Sequence, residues 1–130
     1  MPWQFCNDSP IYTQLVERMT RAIITGEYTV GERLPSVRDL AAQAGVNPNT
    51  MQRALSELEQ SGLIYTQRTS GRYVTGDQNR IHQAKQSLAR QQIETFLTAM
   101  KQLGFSRQEV LHLLREEEMK EELEHADTGV

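Results

Sequence analysis

Residues 36–62 read SVRDLAAQAGVNPNTMQRALSELEQSG, and they hold the most informative structural pattern in the chain. It holds two short helical patterns separated by only a few residues. Ser36 followed by Asp39 forms a capping box that predicts the start of the first helix, and Gly45 predicts its end. Asn47 followed by proline predicts the start of the second helix, because a cap residue and then proline are typical of helix N-termini.

The apolar residues of each pattern fall on one helical face. The expected inner faces consist of Val37, Leu40, Ala41 and Ala44 in the first helix and Met51, Ala54, Leu55 and Leu58 in the second. Two β-prone runs follow, residues 63–66 and 72–75, on either side of the turn-forming sequence QRTSG. Two helices joined by a glycine-containing turn and followed by a hairpin predict a winged helix-turn-helix.

A further helix is predicted before this pair. Ser9 is expected to cap it, Pro10 to take its first position and Gly26 to end it. Its apolar residues recur at helical spacing and are Ile11, Leu15, Met19, Ala22 and Ile23. The stretch EYTVGERLP, residues 27–35, is expected to be a loop.

The composition changes after residue 76. A long helical pattern runs to Gly104, and a capping box formed by Ser106 and Glu109 predicts a final helix. We therefore divide the chain into a winged helix-turn-helix domain, residues 1–76, and a helical segment, residues 77–130. The predicted fold class is mainly α with a small β-hairpin, an N-terminal winged helix-turn-helix followed by a two-helix segment.

The second helix of the pair, residues 47–62, carries polar side chains suited to DNA. On a helical projection Asn49, Gln52 and Arg53 lie opposite the apolar face, together with Ser56. In the major groove, Asn and Gln amides can pair with adenine and an Arg guanidinium can pair with guanine. The helix N-terminus adds a positive dipole end that favours phosphate. These features predict a recognition helix that enters the major groove.

Arginines beside this helix extend the predicted interface. Two of them flank the hairpin tip, so the wing, residues 66–72, is expected to follow the backbone or to enter a minor groove. Arg33 and Arg38 either contact DNA or pair with neighbouring acids such as Glu32 and Asp39. The candidate DNA-binding residues are Arg33, Ser36, Arg38, Asn47, Pro48, Asn49, Thr50, Gln52, Arg53, Arg68, Thr69, Ser70, Gly71 and Arg72.

The formal net charge of −3 argues at first against a nucleic-acid partner. Its distribution changes this interpretation. Residues 1–75 carry seven arginines, seven acidic residues and no lysine, so the net negative charge comes entirely from residues 76–130. Arginine is better suited than lysine to bidentate contacts with phosphate and guanine. A solvated surface of mixed charge remains the alternative, and charge by itself does not separate the two.

Several classes of protein are disfavoured. The three histidines are scattered without a second metal ligand at suitable spacing, and no glycine-rich phosphate loop occurs. Cys6 is the single cysteine and lacks an activating neighbour. We therefore expect no enzyme, metal or cofactor. With no long apolar run and no basic-then-apolar leader, we expect no membrane association and a cytoplasmic location.

The sequence resembles the GntR family of bacterial regulators. The matching motifs are PIYTQL, the run from Gly26 through LPSVRDLA, GVNPNTMQRALSELEQSGLI at residues 45–64, and GRYV at the end of the wing. The resemblance implies that Arg38, in the LPSxR motif, and Arg53, in the NTxxRA pattern, contact DNA. The short two-helix end is similar to the YtrA subfamily, whose members dimerise through those helices. The family is also associated with repression of transporter operons.

The apolar stripes of residues 77–130 predict a homodimer. The candidate interface residues are Ala89, Ile93, Phe96, Leu97, Met100, Leu103, Val110, Leu111 and Leu114. Two recognition helices held at a fixed distance would read a palindromic operator. A small-molecule effector pocket is an alternative use of the same stripes. The predicted function is a sequence-specific, dimeric regulator of operator DNA, a repressor by resemblance; a winged helix used only for protein–protein contact is the alternative.

Overall fold

A computed structural model describes residues 3–128, and the side chains of residues 3–125. The elements in chain order are α1 (Ile11–Ile24), α2 (Val37–Ala44), α3 (Pro48–Gln60), β1 (Ile64–Gln67), β2 (Gly71–Val74), α4 (Gln78–Gln102) and α5 (Arg107–Thr128). The predicted fold class, mainly α with one hairpin, is confirmed. The chain forms two compact units, the first ending at Ser87 and the second beginning at Leu88.

Three helices enclose the core of the first unit. The core side chains are apolar and almost fully buried, and include Leu15, Met19, Ile23, Leu34, Leu40, Ala41, Ala44, Met51, Ala54, Leu55, Leu58, Leu63, Ile64 and Val74. The predicted inner faces of α2 and α3 are therefore correct, except that Val37 is half-buried at the edge of the core. Ile11 was expected to face inward on α1, but it remains 45% exposed because it lies in the first turn.

Side-chain caps fix the starts of α2 and α3. The Ser36 hydroxyl oxygen accepts a hydrogen bond from the Asp39 N–H at 3.1 Å, and the Asn47 side-chain oxygen accepts one from the Asn49 N–H at 2.8 Å. Between the helices Gly45 adopts φ +74°, a left-handed conformation that glycine takes without a Cβ clash. The tight turn of the helix-turn-helix therefore depends on these local groups.

The predicted Ser9 cap of α1 is wrong. Pro10 occupies the cap position and no side chain caps the helix. The Gln14 amide instead folds back over the preceding segment: its nitrogen donates to the carbonyls of Cys6 and Ser9, and its oxygen accepts from the Cys6 N–H at 2.8 Å. A long side chain inside the helix thus ties down the chain that enters it.

The hairpin pairs Ile64 with Val74 and Gln67 with Gly71, so β1 lies one residue later and β2 one residue earlier than the predicted strands. The loop before α2 adds a third extended segment. The N–H groups of Gly31 and Leu34 donate to β2 carbonyls, and the Val74 N–H donates to the Glu32 carbonyl at 2.9 Å. The prediction of a plain loop here missed this pairing, because the segment is too short and too polar to show strand alternation.

An ion pair ties the wing to α3. Glu59 accepts a hydrogen bond from the Arg72 Nε at 2.8 Å and another from the Thr66 hydroxyl. The two charged side chains are only 22% and 31% exposed, for Arg72 and Glu59 respectively. Partial burial limits screening by salt, so the contact holds both strands of the hairpin against the end of α3.

The first turns of α4 belong to the first unit. Ile81 and Ala84 pack against the core, and the Arg80 guanidinium donates to the Ser61 carbonyl at the end of α3. A Cβ placed on Gly62 would lie only 2.1 Å from an Arg80 nitrogen, so glycine leaves room for this side chain. The predicted domain boundary after residue 76 remains a prediction. Contacts with the core of the first unit continue beyond it, through these residues of α4.

The second unit contains the end of α4, a turn at Gly104 and α5. The predicted capping box is confirmed: the Ser106 N–H donates to the Glu109 carboxylate, and the Glu109 N–H donates to the Ser106 hydroxyl, both at 3.1 Å. Among its described residues only Val110 is buried within the chain itself. This unit therefore leaves most of its apolar side chains uncovered.

We expect Glu59→Ala to loosen the wing without unfolding the first unit. Removing the carboxylate frees Arg72 and Thr66, so backbone amides of β1 and β2 should exchange hydrogen faster. The global stability should fall by no more than about 1 kcal/mol, because a single ion pair that still touches solvent contributes little and the apolar core stays intact. Hydrogen exchange read by NMR measures both quantities.

The matched control is Glu57→Ala, which removes an exposed carboxylate from the same helix. The Glu57 carboxylate has no ion-pair partner among the described residues. Equal amide protection in the two variants would show that the Glu59 contact does not hold the wing.

Candidate nucleic-acid interface and apolar surface

The exposed side of α3 forms a recognition face made of Asn49, Gln52, Arg53 and Ser56. The opposite side of the helix is buried in the core, so its orientation is set by packing. The N-terminal end is open, with Asn47 and Pro48 exposed and Thr50 half-buried. The face therefore combines amide groups, a guanidinium and a positive helix end, as the sequence predicts.

Arg53 does not extend freely from this face. Its guanidinium carbon lies 3.8 Å from the centre of the Tyr12 ring, which α1 supplies. This stacking is a cation–π contact. No local pattern in the PIYTQL segment predicts this contact, because it joins residues far apart in the chain. The one available signal was an aromatic residue, Tyr12, directly before the polar Thr13 and Gln14.

Three other arginines lie exposed around the recognition face or on the wing. Arg33, Arg38 and Arg68 form no ion pair within the part of the chain that the structure describes. The alternative pairing of Arg38 with Asp39 or Glu32 is therefore not seen there. The three guanidinium groups remain available to an anionic partner.

Arg33, in the loop before α2, has a defined position beside the wing. A Cβ placed on Gly71 would lie 3.1 Å from the Arg33 Nε, and Gly71 itself adopts φ +118°. Glycine at this position therefore permits the backbone turn and leaves room for the Arg33 side chain beside it. Arg33 also pairs with Tyr73 across the backbone, and Tyr73 stacks on Tyr65 with ring centres 5.7 Å apart.

The wing tip consists of Arg68 and Thr69, which are exposed, and Ser70, which is half-buried. Arg72 does not match the expectation of a second free cation on the wing. Its charge is already balanced by Glu59, to which it is bound. Ser36 is exposed, and its hydroxyl caps α2 by accepting a hydrogen bond from the Asp39 N–H. The free wing charge thus comes from Arg68, with Arg33 beside it.

The apolar residues of the second unit line an open cleft between α4 and α5. The cleft has a volume of about 600 Å³, and its apolar lining is Ile93, Phe96, Leu97, Val110, Leu111 and Leu114. Ile93, Phe96, Leu111 and Leu114 are each 43–54% exposed. Ala89 and Leu103 are also exposed and Met100 is half-buried, whereas Val110 is covered by its own chain and offers little area to a partner.

The described residues show few other features that suggest a chemical function. They contain no group of three or more His, Cys, Asp and Glu side chains that could hold a metal. No helix among them combines the length and the apolar character that a membrane span requires. Burial and the nearby Glu27 and Glu32 raise the pKa of Tyr28, which lies outside the recognition face.

Comparison with known proteins agrees with this geometry. Residues 11–74 match the family of bacterial regulatory proteins called the gntR family. Over 108 residues the chain is 37% identical to YhcF of Bacillus subtilis (strain 168), an HTH-type transcriptional regulator, covering 83% of this chain and 89% of that protein. It is 33% identical over 92 residues to the HTH-type transcriptional repressor YtrA of the same strain, covering 70% of this chain and 71% of YtrA.

A solved structure extends the likeness beyond the winged helix. A GntR family transcriptional regulator from Listeria monocytogenes superposes with a TM-score of 0.76 at 40% identity, over 86% of this chain and 98% of that one. The resemblance predicted from the motifs is confirmed. The chain belongs to the gntR family of bacterial regulatory proteins, and it is a DNA-binding transcription regulator rather than an enzyme.

Proposed function

We propose that the protein is a repressor that binds a palindromic operator as a homodimer, with α3 of each subunit in the major groove. The observation that carries this proposal is the recognition face of α3. Asn49, Gln52 and Arg53 project from one exposed side while the other side is buried. A helix that is held rigidly and offers amides and a guanidinium at its open end suits direct readout of base edges.

In this proposal Arg53 reads a guanine, and Asn49 or Gln52 reads an adenine. Arg38 is exposed without an acidic partner among the described residues, so it can bind a phosphate or a base without first breaking an ion pair. Asn47, Pro48, Thr50 and Ser36 lie at the helix starts, where backbone N–H groups and hydroxyls suit phosphate.

We expect Arg53→Ala and Arg38→Ala each to weaken operator binding by about 1–3 kcal/mol, because each removes one specific contact. Gel shifts or fluorescence anisotropy with an operator duplex obtained by in vitro selection measure the change. Arg21→Ala is the matched control: it removes an exposed α1 arginine that already pairs with Glu17 at 2.9 Å.

Wild-type affinity in both Arg53→Ala and Arg38→Ala would show that α3 and α2 do not dock as proposed. It would favour the alternative of a winged helix used only for protein contact.

On the wing, we propose that Arg68, with Thr69 and Ser70 beside it, binds the phosphate backbone. Arg68→Ala should reduce the slope of log K against log salt by about one, because one phosphate contact is lost. The double change Glu59→Gln, Arg72→Gln removes the ion pair between the wing and α3 without altering the net charge. The slope of log K against log salt for this variant should therefore match that of the wild type. If instead the double variant flattens the slope and Arg68→Ala does not, the assignment of wing contacts is reversed.

We propose that the apolar cleft of the second unit is the dimer interface. Four of its side chains, Ile93, Phe96, Leu111 and Leu114, are about half exposed, and apolar patches of this kind on a small protein usually meet a partner. A second copy supplies the same surface, and two-fold symmetry lets one patch cover the other. Two linked winged helices then bind a palindrome far more tightly than one.

We expect Phe96→Glu, Leu114→Glu to sediment as a monomer and to lose more than about tenfold in operator affinity, because a charge on each wall of the cleft opposes its burial. The control Gln91→Glu, Gln108→Glu adds the same charge at exposed polar positions and should remain a dimer. A double variant in the cleft that stays dimeric would move the interface elsewhere.

Repression would follow when the bound dimer occupies a promoter, and the relative YtrA, named a repressor, supports this direction of control. The proposal places the protein with the chromosome in the cytoplasm. A small-molecule effector, if the protein has one, would act where two subunits meet in the second unit, because a change in packing there would alter the spacing of the two recognition helices.

A further inference from the structure

We infer that Tyr12 is a positioning residue for base recognition, which holds the Arg53 guanidinium at the angle needed to read a base. This inference rests on the proposed function, in which Arg53 contacts DNA. The observation behind it is the stack of the Arg53 guanidinium on the Tyr12 ring, with 3.8 Å between the guanidinium carbon and the ring centre.

Stacking and base recognition use different parts of a guanidinium. The ring contacts the flat face of the group, whereas its five N–H donors lie in the plane and point outward. The two donors that a guanine edge requires therefore stay available while Arg53 rests on Tyr12. An ion pair would differ, because a carboxylate would occupy the same donors, and Arg53 has no such pair among the described residues.

A stacked arginine also loses less freedom on binding. A free arginine side chain samples many rotamers, and ordering such a chain at an interface weakens binding by about three- to tenfold. The Tyr12 ring restricts Arg53 before DNA arrives. The bound complex then forms with less loss of side-chain entropy.

The ring is itself held in place. Tyr12 is half-buried in the first turn of α1, and the same turn carries Gln14. The Gln14 amide ties this turn to the segment before it through hydrogen bonds of 2.8–3.0 Å to Cys6 and Ser9. From the next turn onward Leu15 and Met19 anchor α1 in the core. A fixed ring beneath a long flexible cation is the arrangement that a positioning role requires.

The test compares Tyr12→Leu and Tyr12→Phe in the full chain, alone and combined with Arg53→Ala, on an operator duplex selected in vitro with the intact protein. Tyr12→Leu should weaken binding about three- to tenfold, and Tyr12→Phe should stay within about twofold of the wild type because the phenyl ring still stacks. In the Arg53→Ala background, Tyr12→Leu should cause no further loss.

Specificity provides a readout that a merely structural role would not change. Arg53→Ala identifies the base pair at which discrimination depends on Arg53. Tyr12→Leu should reduce discrimination at that same base pair and leave the others unchanged. Thermal unfolding followed by circular dichroism shows whether each variant remains folded at the temperature of the binding measurement.

The outcomes separate the inference from the function on which it rests. If Arg53→Ala binds like the wild type, the proposed base contact is wrong and the inference falls with it. If Arg53→Ala is weak but Tyr12→Leu binds normally or more tightly, the base contact stands and the positioning role is wrong. An equal loss from Tyr12→Leu with and without Arg53 would likewise show that Tyr12 acts independently of the arginine.

Discussion

Burial of one side of α3 in the core sets the orientation of the whole DNA-facing surface. Met51, Ala54, Leu55 and Leu58 are each no more than 1% exposed. Replacing one buried leucine with alanine typically costs about 2–5 kcal/mol, so the helix is held strongly against rotation about its axis. Because this side cannot turn outward, the side that carries Asn49, Gln52 and Arg53 cannot turn inward. A stability requirement on one face thereby fixes the orientation of the other.

Two surface contacts of the recognition helix serve the same purpose. At the exposed side Tyr12 stacks on Arg53, and toward the C-terminal end Glu59 holds Arg72 and Thr66 of the wing. These contacts join α1, α3 and the hairpin through polar groups at the surface, where apolar packing is incomplete. The elements that would meet DNA are thus ordered relative to one another before any ligand binds. Preorganisation of this kind reduces the entropy lost on association.

Charge is divided between the two parts of the chain. A net charge of −3 would be unusual for a small DNA-binding domain taken as a whole. The excess of acid lies in the helical segment after residue 76, and α5 holds much of it. Within residues 1–75 the arginines and the acidic residues balance, with seven of each. Local arginines without partners, such as Arg38 and Arg68, therefore matter more to the recognition face than the overall sum.

Caps, glycines and helical periodicity act over a few residues, so they predict the order of helices and hairpin, the inner faces of α2 and α3, and the polar side of α3. The same ordered motifs identify the family. Which cations are free depends instead on contacts between residues far apart in the chain. Arg72 and Arg68 flank the same turn, yet Arg72 pairs with Glu59 while Arg68 does not. Likewise, the stack between Tyr12 and Arg53 joins two helices, α1 and α3, that the core brings together. No local sequence pattern predicts that these two side chains meet.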